Sequence, residues 1–144
     1  MKRAFLAAPL LLLPAASALP LQPGKWQSTV TILATQMPNA PPIATAMARR
    51  PTTVTACITV AQAADGPRAL LSGSNGRCHF TSYEMSGGRF HSVMQCAIGT
   101  GTMTQTENGT YGATSLDVNG TSVITGRMSM TMKTHTVGRR LGGC

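Results

Sequence analysis

Residues 77–98, RCHFTSYEMSGGRFHSVMQCAI, constrain the fold more than any other stretch of the chain. Ser86-Gly87-Gly88 interrupts two runs of strand-forming residues and supplies the flexible pair that a tight β-connection needs. Cys78 and Cys96 are equidistant from Gly87, so closing the hairpin there sets them side by side, within reach of a cross-strand disulfide. The same register places Phe80 opposite Met94 and Glu84 opposite Phe90 on one mostly apolar surface. His79, Thr81, Tyr83, His91 and Gln95 then fall on the other, where Tyr83 and His91 form an ordinary surface pair.

The N-terminus has the form of an export leader. Lys2 and Arg3 precede an apolar run over residues 4–13, and Ala16-Ser17-Ala18 is a small-residue cleavage site. The run is too short to span a bilayer as a helix. The expected product is a signal peptide over residues 1–18 and one domain over residues 19–144, with no transmembrane segment in the mature chain. A domain of this size buries roughly two thirds of the surface its unfolded chain exposes. Its aromatic residues are few, so covalent staples matter more. With Cys78 paired to Cys96, the remaining cysteines Cys57 and Cys144 form the second bridge expected of an exported chain; the alternative leaves the terminal Cys144 a free thiol.

Removing Lys2 and Arg3 lowers the net charge from +8 to +6. Such a surface attracts anionic envelope components. Apart from Arg49-Arg50 and Arg139-Arg140 the positive charges are scattered, with no basic helix or Lys/Arg run of the kind that marks a nucleic-acid partner.

Residues 25–35 alternate cleanly, with Trp26, Val30 and Ile32 on one face and Lys25, Gln27, Thr29 and Thr31 on the other, as in a half-buried strand. Four prolines within residues 37–51 make that stretch a loop. A second strand runs over residues 52–58. Thr59 then caps a short helix through Ala64, and Pro67 starts a turn carrying Ala69, Leu70 and Leu71. The apolar side of this helical stretch (Val60, Ala63, Ala64, Leu70, Leu71) is expected against the sheet. Asn108-Gly109 and Asn119-Gly120 read as hairpin turns between strands near 101–107, 110–118 and 121–134. Those turns set Leu116 beside Val123 and put Leu116, Val118 and Val123 on the face opposite Met128, Met130 and Met132, unless Gly126-Arg127 forms a bulge that restores the parity. The expected fold is mainly β: a curved antiparallel sheet or partly closed barrel of about seven strands, with one short helix and two disulfides.

The four carboxylates, Asp65, Glu84, Glu107 and Asp117, are mutually distant, which argues against a two-carboxylate hydrolase. The chain has no Gly-x-Ser-x-Gly, no phosphate loop, no His-Glu-x-x-His and no Cys-x-x-Cys. A non-catalytic binding or scaffold module is therefore expected, without a cofactor. A curved sheet lined by Met and Val suits a small apolar ligand, with Trp26, Met103, Met128, Met130 and Met132 as candidate lining residues. The alternative is a Cu(I)-binding or oxidative-stress protein. In it the alternating thioethers of Met128, Met130 and Met132 act with His91 and His135 as metal ligands.

Pro23-Gly24-Lys25-Trp26 opens the first strand, Cys57-Ile58-Thr59 joins the second strand to the helix, and Gly138-Arg139-Arg140-Leu141-Gly142-Gly143-Cys144 closes the chain. Their order, together with Cys78 and Cys96, resembles the bacterial exported family catalogued as domain of unknown function 3617. The likeness covers nearly the whole mature chain and implies a Gram-negative periplasmic setting. It implies no activity, substrate or catalytic residue. Gln27 stands where such sequences commonly carry Glu.

Overall fold

The computed structural model describes residues 20–38, 50–71, 77–127 and 129–144. The expected leader, residues 39–49 of the proline-rich stretch, residues 72–76 and Met128 lie outside the described residues. Seven strands and two short helices follow in the order β1 (Gly24–Gln36), β2 (Thr52–Ile58), α1 (Val60–Ala64), α2 (Arg68–Leu71), β3 (Cys78–Ser86), β4 (Arg89–Ile98), β5 (Gly101–Tyr111), β6 (Ser115–Thr125) and β7 (Met130–Gly142). They build one sheet, β2-β1-β7-β6-β5-β4-β3, in which every neighbouring pair is antiparallel. β2 and β3 do not pair with each other, so the sheet is open.

Alternation decides which side chains face inward. In β1 Trp26, Ser28, Val30 and Ile32 point into the hollow of the sheet. In β6 Leu116, Val118, Gly120 and Ser122 are buried while the residues between them are half-buried or exposed. One end of the hollow is plugged by a cluster of Leu21, Trp26, Ile58, Ala63, Phe90, Leu116 and Val118, with Leu70, Leu71 and Tyr111 packed against it. Trp26 is 1% exposed, and its indole N–H donates to the carbonyl of Gln22 at 2.9 Å. Truncating so large a buried ring to Ala costs about 3–5 kcal/mol. The helices sit over this end. Thr59 caps α1 through a capping box with Gln62: each side chain bonds the other's backbone N–H, at 3.2 and 2.9 Å.

Both expected disulfides are present, Cys78–Cys96 and Cys57–Cys144, and no described cysteine is free. The β3–β4 hairpin turns through Gly87 and Gly88, whose φ values of 57° and 75° are the pattern of a two-residue type I′ turn.

Several expectations about register are corrected. Phe80 does pair with Met94, but a bulge at Thr81 then shifts β3 by one residue, so Met85 pairs with Phe90, Tyr83 with Ser92 and Glu84 with His91. Glu84 is thereby turned outward and Tyr83 inward. There Tyr83 meets Phe80 edge-on at 5.6 Å between ring centroids and stacks on Phe90 at 6.4 Å. Its hydroxyl accepts from the Arg68 backbone N–H at 3.1 Å and donates to the Asp65 carbonyl at 3.3 Å, pinning the helical connection to the sheet.

Asn108-Gly109 and Asn119-Gly120 are not turns. Both lie within strands, where Asn108 pairs with Asn119, and β5 turns into β6 at residues 112–114. Neither glycine has a positive φ. They are required by close approach instead: a Cβ on Gly109 would lie 2.5 Å from Phe90 Cε1, and one on Gly120 2.5 Å from Thr134 Oγ1. With the strands longer than expected, Leu116 pairs with Tyr111 and Gly138, not with Val123. Val123 faces outward at 41% exposed, whereas Leu116, Val118, Met130 and Met132 share the inner face with no register shift between β6 and β7. The helical stretch is split in two, and Val60 and Ala64 are exposed, leaving Ala63, Leu70 and Leu71 to meet the core. Among the described residues no helix is long and apolar enough to cross a membrane.

Candidate functional site

Cross-strand pairing stacks the inner face into tiers. Next to the plugged end, Val30, Thr136, Val118, Gly109, Phe90 and Met85 form one row. The next row runs Ile32, Thr134, Gly120, Glu107, Ser92, Tyr83 and is polar at its centre. Beyond it Thr35, Met132, Ser122, Gln105, Met94 and Phe80 lead to a rim of Met130, Ile124, Met103 and the Cys96–Cys78 bridge.

Above the plug this face encloses a groove of about 440 Å³, within the range of small-molecule sites. Its wall is mostly apolar, with Val30, Ile32, Leu70, Leu71, Met94 and Met132 among the contributors. Its floor carries Glu107, 4% exposed, whose carboxylate accepts from the Ser92 hydroxyl at 3.0 Å and from the Gln105 side-chain amide. Gly120 lies directly opposite on β6, where a Cβ would meet Glu107 Cγ at 3.8 Å, an ordinary van der Waals contact. Burial pushes the Glu107 carboxyl above its ordinary range, against the lowering influence of Gln105 and Ser92. Tyr83 is likewise raised by burial, opposed first by the Arg68 backbone N–H. A broader, more open hollow of about 510 Å³ is bordered by Glu84, His91, Asn108, Asp117 and Asn119 of the outer face, with Met85 and Phe90 also in its lining.

Of the lining residues expected from sequence, Trp26 forms the base of the groove and Met103 and Met132 line it. Met130 shares their face nearer the rim, paired with Ile124. Met128 lies outside the described residues. The described members of the Cu(I) donor set fall on opposite faces of the sheet. His91 and His135 lie on the outer face, hydrogen-bonded to Asn108 at 2.9 Å and to Asp117 at 3.0 Å, with the sheet between them and Met130 and Met132. Among the described residues no three His, Cys, Asp or Glu side chains cluster in a way that would hold a metal ion.

Glu107, Ser92 and Gln105 were not marked by sequence reasoning. Taking Asn108-Gly109 for a turn puts Glu107 at a strand end. The signal that finds it is the unbroken alternation Met103, Gln105, Glu107, Gly109, which gives the carboxyl the same inward parity as Met103.

No curated protein and no solved structure matches the chain. Residues 21–144 match a family model described as Protein of unknown function (DUF3617), and the chain belongs to that family.

Proposed function

We propose that this chain is an exported, periplasmic binding domain that holds a small, largely apolar molecule in the inner groove and catalyses no reaction. The observation that carries this reading is the groove itself, about 440 Å³ walled by aliphatic and methionine side chains, where a filled sheet interior would serve stability better. Methionines give such a wall adaptability, because their unbranched thioethers repack around different shapes. Against catalysis stands the isolation of Glu107: no second titratable side chain lines the groove among the described residues, so a proton taken up there has no partner to relay it. What supports export is the basic, apolar, small-residue order of residues 1–18 together with two disulfides, which persist in oxidising compartments.

Native mass spectrometry of protein purified from periplasmic extract tests both parts. The expected spectrum shows a chain beginning at Leu19, with a population heavier by one small molecule that disappears after organic extraction. Repeated recovery of the empty chain alone would overturn the binding reading. A chain that retains residues 1–18 and stays in the cytoplasm would overturn export.

A further inference from the structure

Resting on that reading, we infer that the groove selects amphiphiles bearing a cationic nitrogen, such as a primary amine, which seats on Glu107 while the apolar body lies along the wall toward the rim. Glu107 is the one charged residue lining the groove among the described residues; no Lys, Arg or His lines it. The nearby cations are engaged elsewhere. Arg68 lies over the Phe80 and Tyr83 rings at 4.9 and 5.6 Å, Arg140 donates to the Pro23 carbonyl at 2.8 Å, and Arg139 donates to Gln27 at 2.9 Å. The carboxylate therefore has neutral donors only, one on each oxygen. A carboxylate offers about four acceptor positions, so each oxygen can take a further donor from a ligand.

A buried carboxylate without a counter-charge is costly, and a cation brought to it offsets that cost through a charge-assisted hydrogen bond. An uncharged donor such as an alcohol gains a hydrogen bond without the charge pairing. A carboxylate ligand meets like charge, or must carry an extra proton into the site. The perturbation of Glu107 by burial agrees with this ordering and is a frequent mark of a functional group.

The test compares decylamine, decanol and decanoate, each below its aggregation concentration, titrated into the purified mature protein at neutral pH. Trp26 is the chain's single tryptophan and lines the groove, so its fluorescence reports occupancy. The expected order is amine, alcohol, carboxylate, with the amine roughly tenfold or more tighter than the alcohol. The protein's overall positive charge works the other way, favouring the carboxylate, so an amine preference reports the local site. Glu107→Gln should erase the amine's advantage over the alcohol. Equal binding of amine and alcohol, a preference for decanoate, or an amine preference that survives Glu107→Gln would each overturn the inference while leaving the binding reading intact. If none of the three binds, both fall. The wild-type comparison stands whether or not the variant folds.

Discussion

Gly120→Ala distinguishes a glycine needed for space from one needed for a turn. Built on the Gly120 backbone, a Cβ lies 2.5 Å from Thr134 Oγ1, and its next neighbours are Glu107 Cγ at 3.8 Å and Thr134 Cβ at 3.9 Å. The obstruction is thus one hydroxyl on the neighbouring strand. Forcing a β-branched side chain aside in a packed face costs about 1–3 kcal/mol. Replacing glycine inside a strand returns about 0.5–1 kcal/mol of backbone entropy. Gly120→Ala in the wild type should therefore destabilise by about 1–2 kcal/mol. In a Thr134→Ala background the hydroxyl is gone, and the same change should stabilise by about 0.5–1 kcal/mol. The coupling between the two sites comes to about 2 kcal/mol, well above the few tenths seen for independent positions. Urea unfolding of the four proteins measures it as a midpoint discrepancy of roughly 1 M at an unchanged slope of about 2 kcal/mol/M. Were Asn119-Gly120 a turn with φ above zero, Ala would carry a strain penalty of about 1 kcal/mol whatever occupied position 134. Additive effects would refute the pairing of Gly120 with Thr134.

Three other outcomes follow from the same geometry. Because burial raises the Glu107 carboxyl in the folded state, folding takes up a proton there; its contribution is complete below the ordinary value of about 4.3 and is lost as pH rises through the folded value. Melting temperatures of wild type and Glu107→Gln should accordingly diverge as pH rises above about 4.3, with the variant gaining relative stability; parallel curves would refute the assignment. Opening the two disulfides separately, by Cys→Ala at both partners, should cost about 3 kcal/mol for Cys78–Cys96 and about 4.5 kcal/mol for Cys57–Cys144, from loops of 18 and 87 residues. Chemical denaturation ranks them, and a larger loss at the shorter loop would contradict the chain-entropy account. Thr59→Ala removes half of the capping box on α1 and should cost about 1 kcal/mol, read as a shift of the thermal midpoint; no change would mean that packing of Ala63, not the cap, holds α1 in place.

What the sequence made legible was whatever depends on simple alternation and on cysteine spacing. The inward set of β1, the Thr59 cap, the Gly87-Gly88 turn and both disulfides all rest on signals that a single sequence carries undiluted. The Asn-Gly pairs misled because one dipeptide serves two physical needs. Glycine permits a positive φ, and glycine also admits a neighbour where a Cβ would clash. The alternation through Met103, Gln105, Glu107 and Gly109, and through Leu116, Val118, Gly120 and Ser122, runs unbroken across both pairs, and over strands this long it outweighs a local turn preference. The bulge at Thr81 left a subtler trace. Apolar residues in β3 occupy even positions at Cys78 and Phe80 and odd ones at Tyr83 and Met85, and that change of parity is what an extra residue in a half-buried strand produces. The groove carboxyl depended on both corrections, since its row includes Gly120 and Tyr83.

The placement of the disulfides follows from the open groove. A sheet that does not close leaves two edge strands, each held by a single neighbour among the described residues: β2 by β1, and β3 by β4. An ordinary sandwich or closed barrel would secure such edges with a filled interior or a final ladder of hydrogen bonds. Here the middle of the interior is given to Glu107 and Gly120, a carboxyl facing a residue with no side chain, where two packed aliphatic side chains would be the more stable choice. The edges are fastened covalently instead. Cys78–Cys96 ties β3 to β4, and Cys57–Cys144 ties the end of β2 to the residues just beyond β7, reaching across β1. One bridge at each edge of the unclosed sheet fastens that edge without filling the hollow.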